Sequence, residues 1–73
     1  MINKNKNLLK SLRLIRASLD LSQEEMAKNI GIKYSSYVRI ETGRAEMTAS
    51  NLESISNFSK IPVQKILNGL ELC

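Results

Sequence analysis

The sequence predicts an all-α fold made of five helices. Two observations carry this prediction: apolar residues recur at spacings of three and four rather than two, and several of these stretches are followed by glycine or aspartate. The chain has 73 residues, of which 42% are hydrophobic, so it has room for one small core. We expect a flexible tail at residues 1–7, a helical domain at 8–69 and a second tail at 70–73.

The first helix is predicted over residues 6–19. Its apolar residues recur every three or four positions, which places them on one face of a helix. Asp20 follows this stretch, and aspartate tolerates the left-handed backbone that ends a helix better than most residues do. The face that we expect to be buried consists of Leu8, Leu12, Ile15 and Leu19.

A capping pattern predicts the second helix, over residues 23–30. Ser22 is followed three residues later by Glu25, an arrangement in which each side chain accepts a hydrogen bond from the other residue's backbone N–H. Gly31 ends the helix, because glycine adopts a positive φ without steric cost.

The third helix is predicted over residues 34–41, and Gly43 ends it in the same way. Together the second and third helices place apolar residues where two helices joined by a glycine turn face each other and the core. These residues are Met26, Ala27, Ile30, Ile32, Tyr37 and Ile40. The spacing predicts a helix-turn-helix, a motif that most often places its second helix in the major groove of DNA. An ordinary helical hairpin is the alternative, since it would need a similar pattern.

Two further helices are predicted in the last third of the chain. Thr48 is a suitable N-cap for a helix over residues 49–58. Pro62 fits the first turn of a fifth helix, where its missing N–H is harmless, and Asn68 with Gly69 would end it. The expected buried residues are Leu52, Ile55 and Phe58 in the fourth helix, and Ile66 and Leu67 in the fifth.

Composition argues against several classes of protein. No apolar run approaches the roughly 20 residues of a membrane span, and the initial MINKNKN lacks the apolar segment of a secretory signal. We therefore expect a cytoplasmic protein with no membrane partner. The sequence has no histidine and one cysteine, Cys73, which argues against a zinc site, a catalytic triad or an internal disulfide. We expect no catalytic residue, metal or cofactor, and so no enzyme.

The charge balance favours a polyanionic partner. Eleven Lys and Arg residues against seven Asp and Glu give a net charge of +4. The chain has only three aromatic residues, too few for a surface on which single-stranded bases stack. Duplex DNA is the expected partner.

Three short pieces of sequence carry a resemblance to a known family: LSQEEMA at residues 21–27, GI at 31–32 and RIETG at 39–43. They resemble the phage-repressor and Cro-type helix-turn-helix family, also called Xre-like or lambda-repressor-like. Later apolar residues fit the last two helices of that family, so the resemblance covers about residues 8–69. They are Leu52, Ile55, Phe58, Ile61, Ile66 and Leu67.

The resemblance implies which residues contact DNA bases. Lys33, Tyr34, Ser35 and Arg39 occupy the matching positions on the third helix. Arg39 can form the paired hydrogen bonds to guanine O6 and N7 that are the commonest specific contact in the major groove. Lys33 stands where the family often has a capping Ser or Thr, so the first turn of this helix is expected to begin differently. Solvated surface residues are the alternative.

The resemblance also implies phosphate contacts and an ion pair. Gln23, at a helix N-terminus that favours anions, Ser36 and Arg44 are the expected phosphate contacts. Arg16 and Glu41 match positions that form a partly buried ion pair in the family, with a structural role. Two solvated charges are the alternative.

These features predict a sequence-specific DNA-binding transcriptional regulator, a repressor acting as a homodimer on a palindromic operator, because one domain makes few contacts. Ile61, Leu70 and Leu72 are the expected dimer contacts, although they could instead complete the core. Within regulators, the alternatives are an antitoxin with a toxin partner and a restriction–modification controller. A protein-interaction module that has lost DNA binding is the alternative from another class.

Overall fold

The computed structural model describes residues 6–70, and in this range the chain forms five helices and no strand. The helices are α1 (Lys6–Ser18), α2 (Gln23–Ile30), α3 (Tyr34–Glu41), α4 (Ala49–Ser59) and α5 (Val63–Leu67). The predicted all-α, five-helix fold is confirmed. Helix α1 begins at Lys6, the start that the apolar spacing predicts, so the tail expected at residues 1–7 overlaps this helix at residues 6 and 7.

The core is built from buried residues of all five helices and of the turn before α4. Helix α1 packs against α3 and α5, α2 packs against α3 and α4, and α4 packs against α5. Leu8, Leu12 and Ile15 of α1 are buried as their spacing predicts. The other buried apolar residues are Met26, Ala27, Ile30, Tyr37, Ile40, Met47, Leu52, Ile55 and Ile66.

Local hydrogen bonds explain where α2 begins and where α3 ends. The Glu25 N–H donates to Ser22 Oγ at 3.0 Å, and the Ser22 N–H donates to Glu25 Oε1 at 2.9 Å, so the capping box is complete. After α3, Gly43 has a φ of 80°. The Arg44 N–H then donates back to the Arg39 carbonyl at 2.7 Å, which satisfies a carbonyl that the end of a helix leaves unpaired.

The first helix ends earlier than its apolar spacing suggests. Leu19 was predicted to be buried, and this was wrong, because its side chain is 45% exposed. Leu19 lies beyond the last residue of α1, Ser18, and directly before Asp20, whose left-handed backbone, with a φ of 57°, ends the helical path. Leu21 packs partly against the core instead.

The last two helices differ in detail from the prediction. Thr48 caps α4 as expected, since its side chain accepts a hydrogen bond from the Asn51 N–H at 3.0 Å. Phe58 packs against the core but is only half-buried. Pro62 is the N-cap of α5 and has an extended backbone, so it precedes the helix and does not occupy its first turn.

The expected dimer contacts lie at the C-terminal end of the fold. Ile61 and Leu70 are both half-buried and pack against the core. Leu72 lies outside the described residues. None of the helices within residues 6–70 is long and apolar enough to cross a membrane.

Candidate nucleic-acid interface

Helices α2 and α3 form the predicted pair around a tight turn. Gly31 has a φ of 77°, and the Ile32 N–H donates to the Ala27 carbonyl at 3.0 Å, which closes the end of α2. The chain then reverses within three residues and enters α3. The buried apolar side chains of the two helices, Met26, Ala27, Ile30, Tyr37 and Ile40, belong to the common core.

The four expected base contacts lie at the start of α3 and on its exposed side. Tyr34 is 51% exposed. Lys33, Ser35 and Arg39 are also exposed, and Ser35 and Arg39 are four residues apart, so they share one side of the helix. Val38 is half-buried beside them.

The first turn of α3 begins without a side-chain cap, in agreement with the replacement of the usual Ser or Thr by Lys33. Lys33 has an extended backbone, and its side chain makes no capping hydrogen bond. In contrast, Ser22 and Thr48 cap α2 and α4. The positive end of the α3 dipole, together with the Lys33 ammonium, therefore presents positive charge beside the exposed base-contact residues.

A buried carboxylate, that of Glu41, joins three helices behind this surface. Glu41 is 3% exposed. Its Oε2 accepts hydrogen bonds from Arg16 Nε at 3.0 Å and from the Tyr37 hydroxyl at 2.7 Å. Its Oε1 accepts from Arg16 Nη2 at 3.2 Å and from Gln23 Nε2 at 2.8 Å. Because the donors belong to α1, α2 and α3, the Glu41 network fixes the end of α3 against both neighbouring helices.

The same contacts set the protonation states in the network. Burial acts to raise the pKa of Glu41, but hydrogen bonds from Arg16, Tyr37 and Gln23 outweigh burial and hold this pKa below its ordinary value. The hydrogen bond to Glu41 raises the pKa of Arg16. Burial, together with the Glu41 contact, raises the pKa of Tyr37, so its hydroxyl remains a donor. The network therefore holds a charged carboxylate at neutral pH.

The expected phosphate contacts occupy three different environments. Gln23 is the first residue of α2 and half-buried, and one of its amide hydrogens points to Glu41. An amide has a second hydrogen and a carbonyl oxygen, so this bond leaves Gln23 with further bonding capacity. Ser36 is exposed in the first turn of α3, and Arg44 is exposed in the turn that follows α3.

The sequence analysis did not anticipate the roles of Tyr37 and Gln23 in the network. Tyr37 was assigned to the apolar face of α3, although it stands four residues before Glu41 and therefore on the same side of the helix. That spacing was a usable signal. Nothing local in the sequence links Gln23 to Glu41, because the contact depends on how α2 crosses α3. Within residues 6–70 there is neither a detectable cavity nor a cluster of side chains suited to a metal ion.

Comparison with known proteins assigns most of the chain to one family. A helix-turn-helix family model matches residues 12–69. The cryptic phage CTXphi transcriptional repressor RstR of Vibrio cholerae is 28% identical over 60 residues, which are 82% of this chain and 54% of that protein. An uncharacterized transcriptional regulator in the ATPase CF(0) region of Rhodospirillum rubrum is 32% identical over 60 residues, 82% of this chain and 56% of that protein. The chain thus spans about half the length of these relatives.

A solved structure has the same fold. The crystal structure of a hypothetical transcription factor, NHTF, from Neisseria aligns with a TM-score of 0.75, covering 93% of this chain and 81% of that one. The sequence identity is 24%, so this likeness concerns the fold alone.

Proposed function

The chain belongs to the phage-repressor and Cro-type helix-turn-helix family, and on that premise we propose that it is a transcriptional regulator that binds specific sequences of duplex DNA. The observation that carries this proposal is the division of α3 into two sides. Ser35 and Arg39 share the exposed side, while Tyr37 and Ile40 are buried in the core. A helix held in this way can enter the major groove without losing core contacts.

Base recognition is assigned to the exposed residues of α3. Arg39 donates two parallel hydrogen bonds to a guanine, for which its planar guanidinium is suited. Ser35 stands one turn earlier on the same side and contacts the adjacent base or its phosphate. Lys33 and Tyr34, at the helix start, contact a base edge and a thymine methyl group respectively.

Phosphate contacts hold the domain in register on the duplex. Gln23 binds one phosphate at the start of α2, while the hydrogen bond to Glu41 keeps its side chain oriented. Ser36 and Arg44 bind phosphates on either side of the groove that α3 enters. Glu46, exposed in the same turn as Arg44, opposes this attraction with its negative charge.

We further propose that the protein represses transcription as a homodimer on a palindromic operator. Repression is supported by the likeness to RstR, a phage repressor. A dimer is supported by geometry, because two half-sites about ten base pairs apart match the spacing of successive major grooves on one side of the duplex. The half-buried Ile61 and Leu70 lie near the C-terminal end and supply apolar surface for the partner, together with Leu72.

Selection of bound sites from random DNA tests the proposal. The expected result is one enriched sequence with two-fold symmetry, bound by a dimer in sedimentation experiments. If a dimer neutralises six to ten phosphates, binding weakens by about 10³ to 10⁵ between roughly 50 and 200 mM salt. No enriched sequence together with a nearly flat salt dependence would contradict the proposal and favour a protein-interaction module.

A further inference from the structure

One arginine on α1 has no part in the Glu41 network, yet it lies close to the end of α3. Leu9, Arg13 and Arg16 stand four and three residues apart on α1, so they share one side of that helix. We call these three residues the α1 flank. Within it, Arg16 is half-buried and Arg13 is exposed.

Two contacts locate the α1 flank. At one end, a methyl group on Gly43 would lie 3.4 Å from Leu9 Cδ1. At the other end, Arg16 Nε is 3.0 Å from Glu41 Oε2. Because Arg13 stands between Leu9 and Arg16, it lies beside the end of α3 and the turn that begins at Gly43.

The charges around Arg13 favour an anionic ligand. Helix α1, with the sequence KNLLKSLRLIRAS, contains four cationic residues and no acidic one. The carboxylate at the end of α3, that of Glu41, is buried and already accepts four hydrogen bonds. In the turn itself, Arg44 is exposed and positive while Glu46 is exposed and negative. The turn alone therefore has little net charge, and Arg13 supplies the additional cation.

We propose that Arg13 binds a backbone phosphate of the DNA, next to the phosphate bound by Arg44. This inference rests on the proposed function, in which α3 enters the major groove and the turn after α3 meets the backbone. A guanidinium offers two parallel N–H donors to phosphate oxygens. The phosphate-binding surface thereby extends from the helix-turn-helix onto the first helix of the domain.

The test compares Arg13→Ala with Lys60→Asn. Both variants remove one positive charge from an exposed position, and asparagine tolerates the left-handed backbone of Lys60, which has a φ of 66°. Lys60 follows the C-terminal end of α4, and the length of α4, about 16 Å, separates it from the turn after α3. The probes are a duplex carrying the sequence selected from random DNA and a scrambled duplex of the same length, titrated over a range of salt concentrations.

Arg13→Ala is expected to weaken binding to both duplexes by about five- to tenfold per protomer near 0.1 M salt. The slope of log K against log salt should become shallower by about 0.9 per protomer. Lys60→Asn should have a smaller effect on both quantities, because α4, about 16 Å long, separates Lys60 from the turn after α3, and the Debye length near 0.1 M salt is about 10 Å. Arg13→Lys should restore most of the binding, since the positive charge is retained.

Three results would overturn the inference. The first is an equal loss in Arg13→Ala and Lys60→Asn, which would show that only net charge matters. The second is a loss confined to the selected duplex, because a phosphate contact carries no sequence information. The third is a parallel fall in the free energy of unfolding of Arg13→Ala, which would show a structural role. If neither wild-type protein nor Lys60→Asn binds either duplex, the proposed function is wrong, and the proposed contact between Arg13 and a phosphate is wrong as well.

Discussion

At its N-terminal end, α3 begins without a side-chain cap and exposes Tyr34 and Ser35, whereas at its C-terminal end it buries Ile40 and Glu41. At the N-terminal end, the side chain of the N-cap residue, Lys33, makes no capping hydrogen bond. The second end holds a carboxylate that accepts four hydrogen bonds from three helices. The eight residues of α3 thus include both a solvent-exposed surface and the buried Glu41 carboxylate that anchors the helix to its neighbours.

A few buried residues can hold a short helix such as α3 in place while most of its other residues face solvent. Helices shorter than about 12 residues are marginal in isolation, so tertiary contacts must stabilise them. In α3 these contacts are concentrated in Tyr37, Ile40 and Glu41. Substitutions of the buried residues of α3 should therefore change stability, and those of its exposed residues, which include Arg39 in the last turn, should change DNA binding.

The largest effect is expected for Glu41→Ala. It leaves Arg16 without its carboxylate partner and removes the acceptor of Tyr37 and Gln23, so the free energy of unfolding should fall by about 3–5 kcal/mol in urea denaturation. Glu46→Ala removes the same charge from an exposed position and should change stability by less than about 0.5 kcal/mol. In a double-mutant cycle, Arg16→Ala and Glu41→Ala together should cost less than the sum of the single changes. Strict additivity would contradict the importance of the ion pair.

Acid should weaken the same anchor. Because the pKa of Glu41 lies below its ordinary value of 4.5, the unfolded chain binds protons there before the folded chain does. The stability from this group is therefore complete above about pH 5 and is lost as the pH falls through the folded-state pKa. Urea denaturation of wild type and Glu41→Gln at a series of acidic pH values should show a shallower loss in the variant. Identical curves would mean that Glu41 does not determine the acid response.

A smaller loss is expected for Tyr37→Phe. The change removes the 2.7 Å hydrogen bond to a buried, charged carboxylate, which should cost about 1.5–3 kcal/mol. Tyr34→Phe is the matched control, because it removes the same hydroxyl from the exposed end of the same helix. In thermal denaturation, the Tm of Tyr37→Phe should be lower than that of wild type, and the Tm of Tyr34→Phe should be nearly unchanged. Equal shifts would remove the distinction between the buried and the exposed residues of α3.

The same contrast explains what could be predicted from the sequence. Ser22 with Glu25, and Gly31 after α2, act over a few residues, so the helix bounds follow from local chemistry. The sequence indicated that Asp20 ends the first helix, and its positive φ agrees, but apolar spacing still placed Leu19 on the buried face although it lies beyond the last helical residue.

Long-range contacts at the candidate interface were harder to predict. The resemblance supplied Arg16 and Glu41 as partners, and the structure places them in contact. Gln23 and Glu41 are 18 residues apart, and their hydrogen bond depends on the crossing of α2 and α3. No periodic pattern encodes that crossing angle. The exposure of Lys33, Tyr34, Ser35 and Arg39 could be predicted, because these residues do not belong to the apolar pattern that marks the buried side of α3.

The smallest effect on stability is expected at Arg39, where the change should instead appear in DNA recognition. Arg39→Ala should leave the free energy of unfolding within about 0.5 kcal/mol of wild type, because the side chain is exposed. Binding should weaken by about 1–3 kcal/mol per half-site if Arg39 contacts a guanine. Arg44→Ala is the control, since a phosphate contact should weaken binding to every sequence alike.

Competition binding over a panel of single-base operator variants distinguishes a residue that reads a base from one that binds the backbone. The predicted result is that Arg39→Ala loses discrimination at one base pair of each half-site and retains it elsewhere, while Arg44→Ala retains it at every position. Equal weakening of all operator variants by Arg39→Ala would make Arg39 a backbone contact. No change in binding with the fold intact would contradict the claim that the exposed side of α3 reads the DNA sequence.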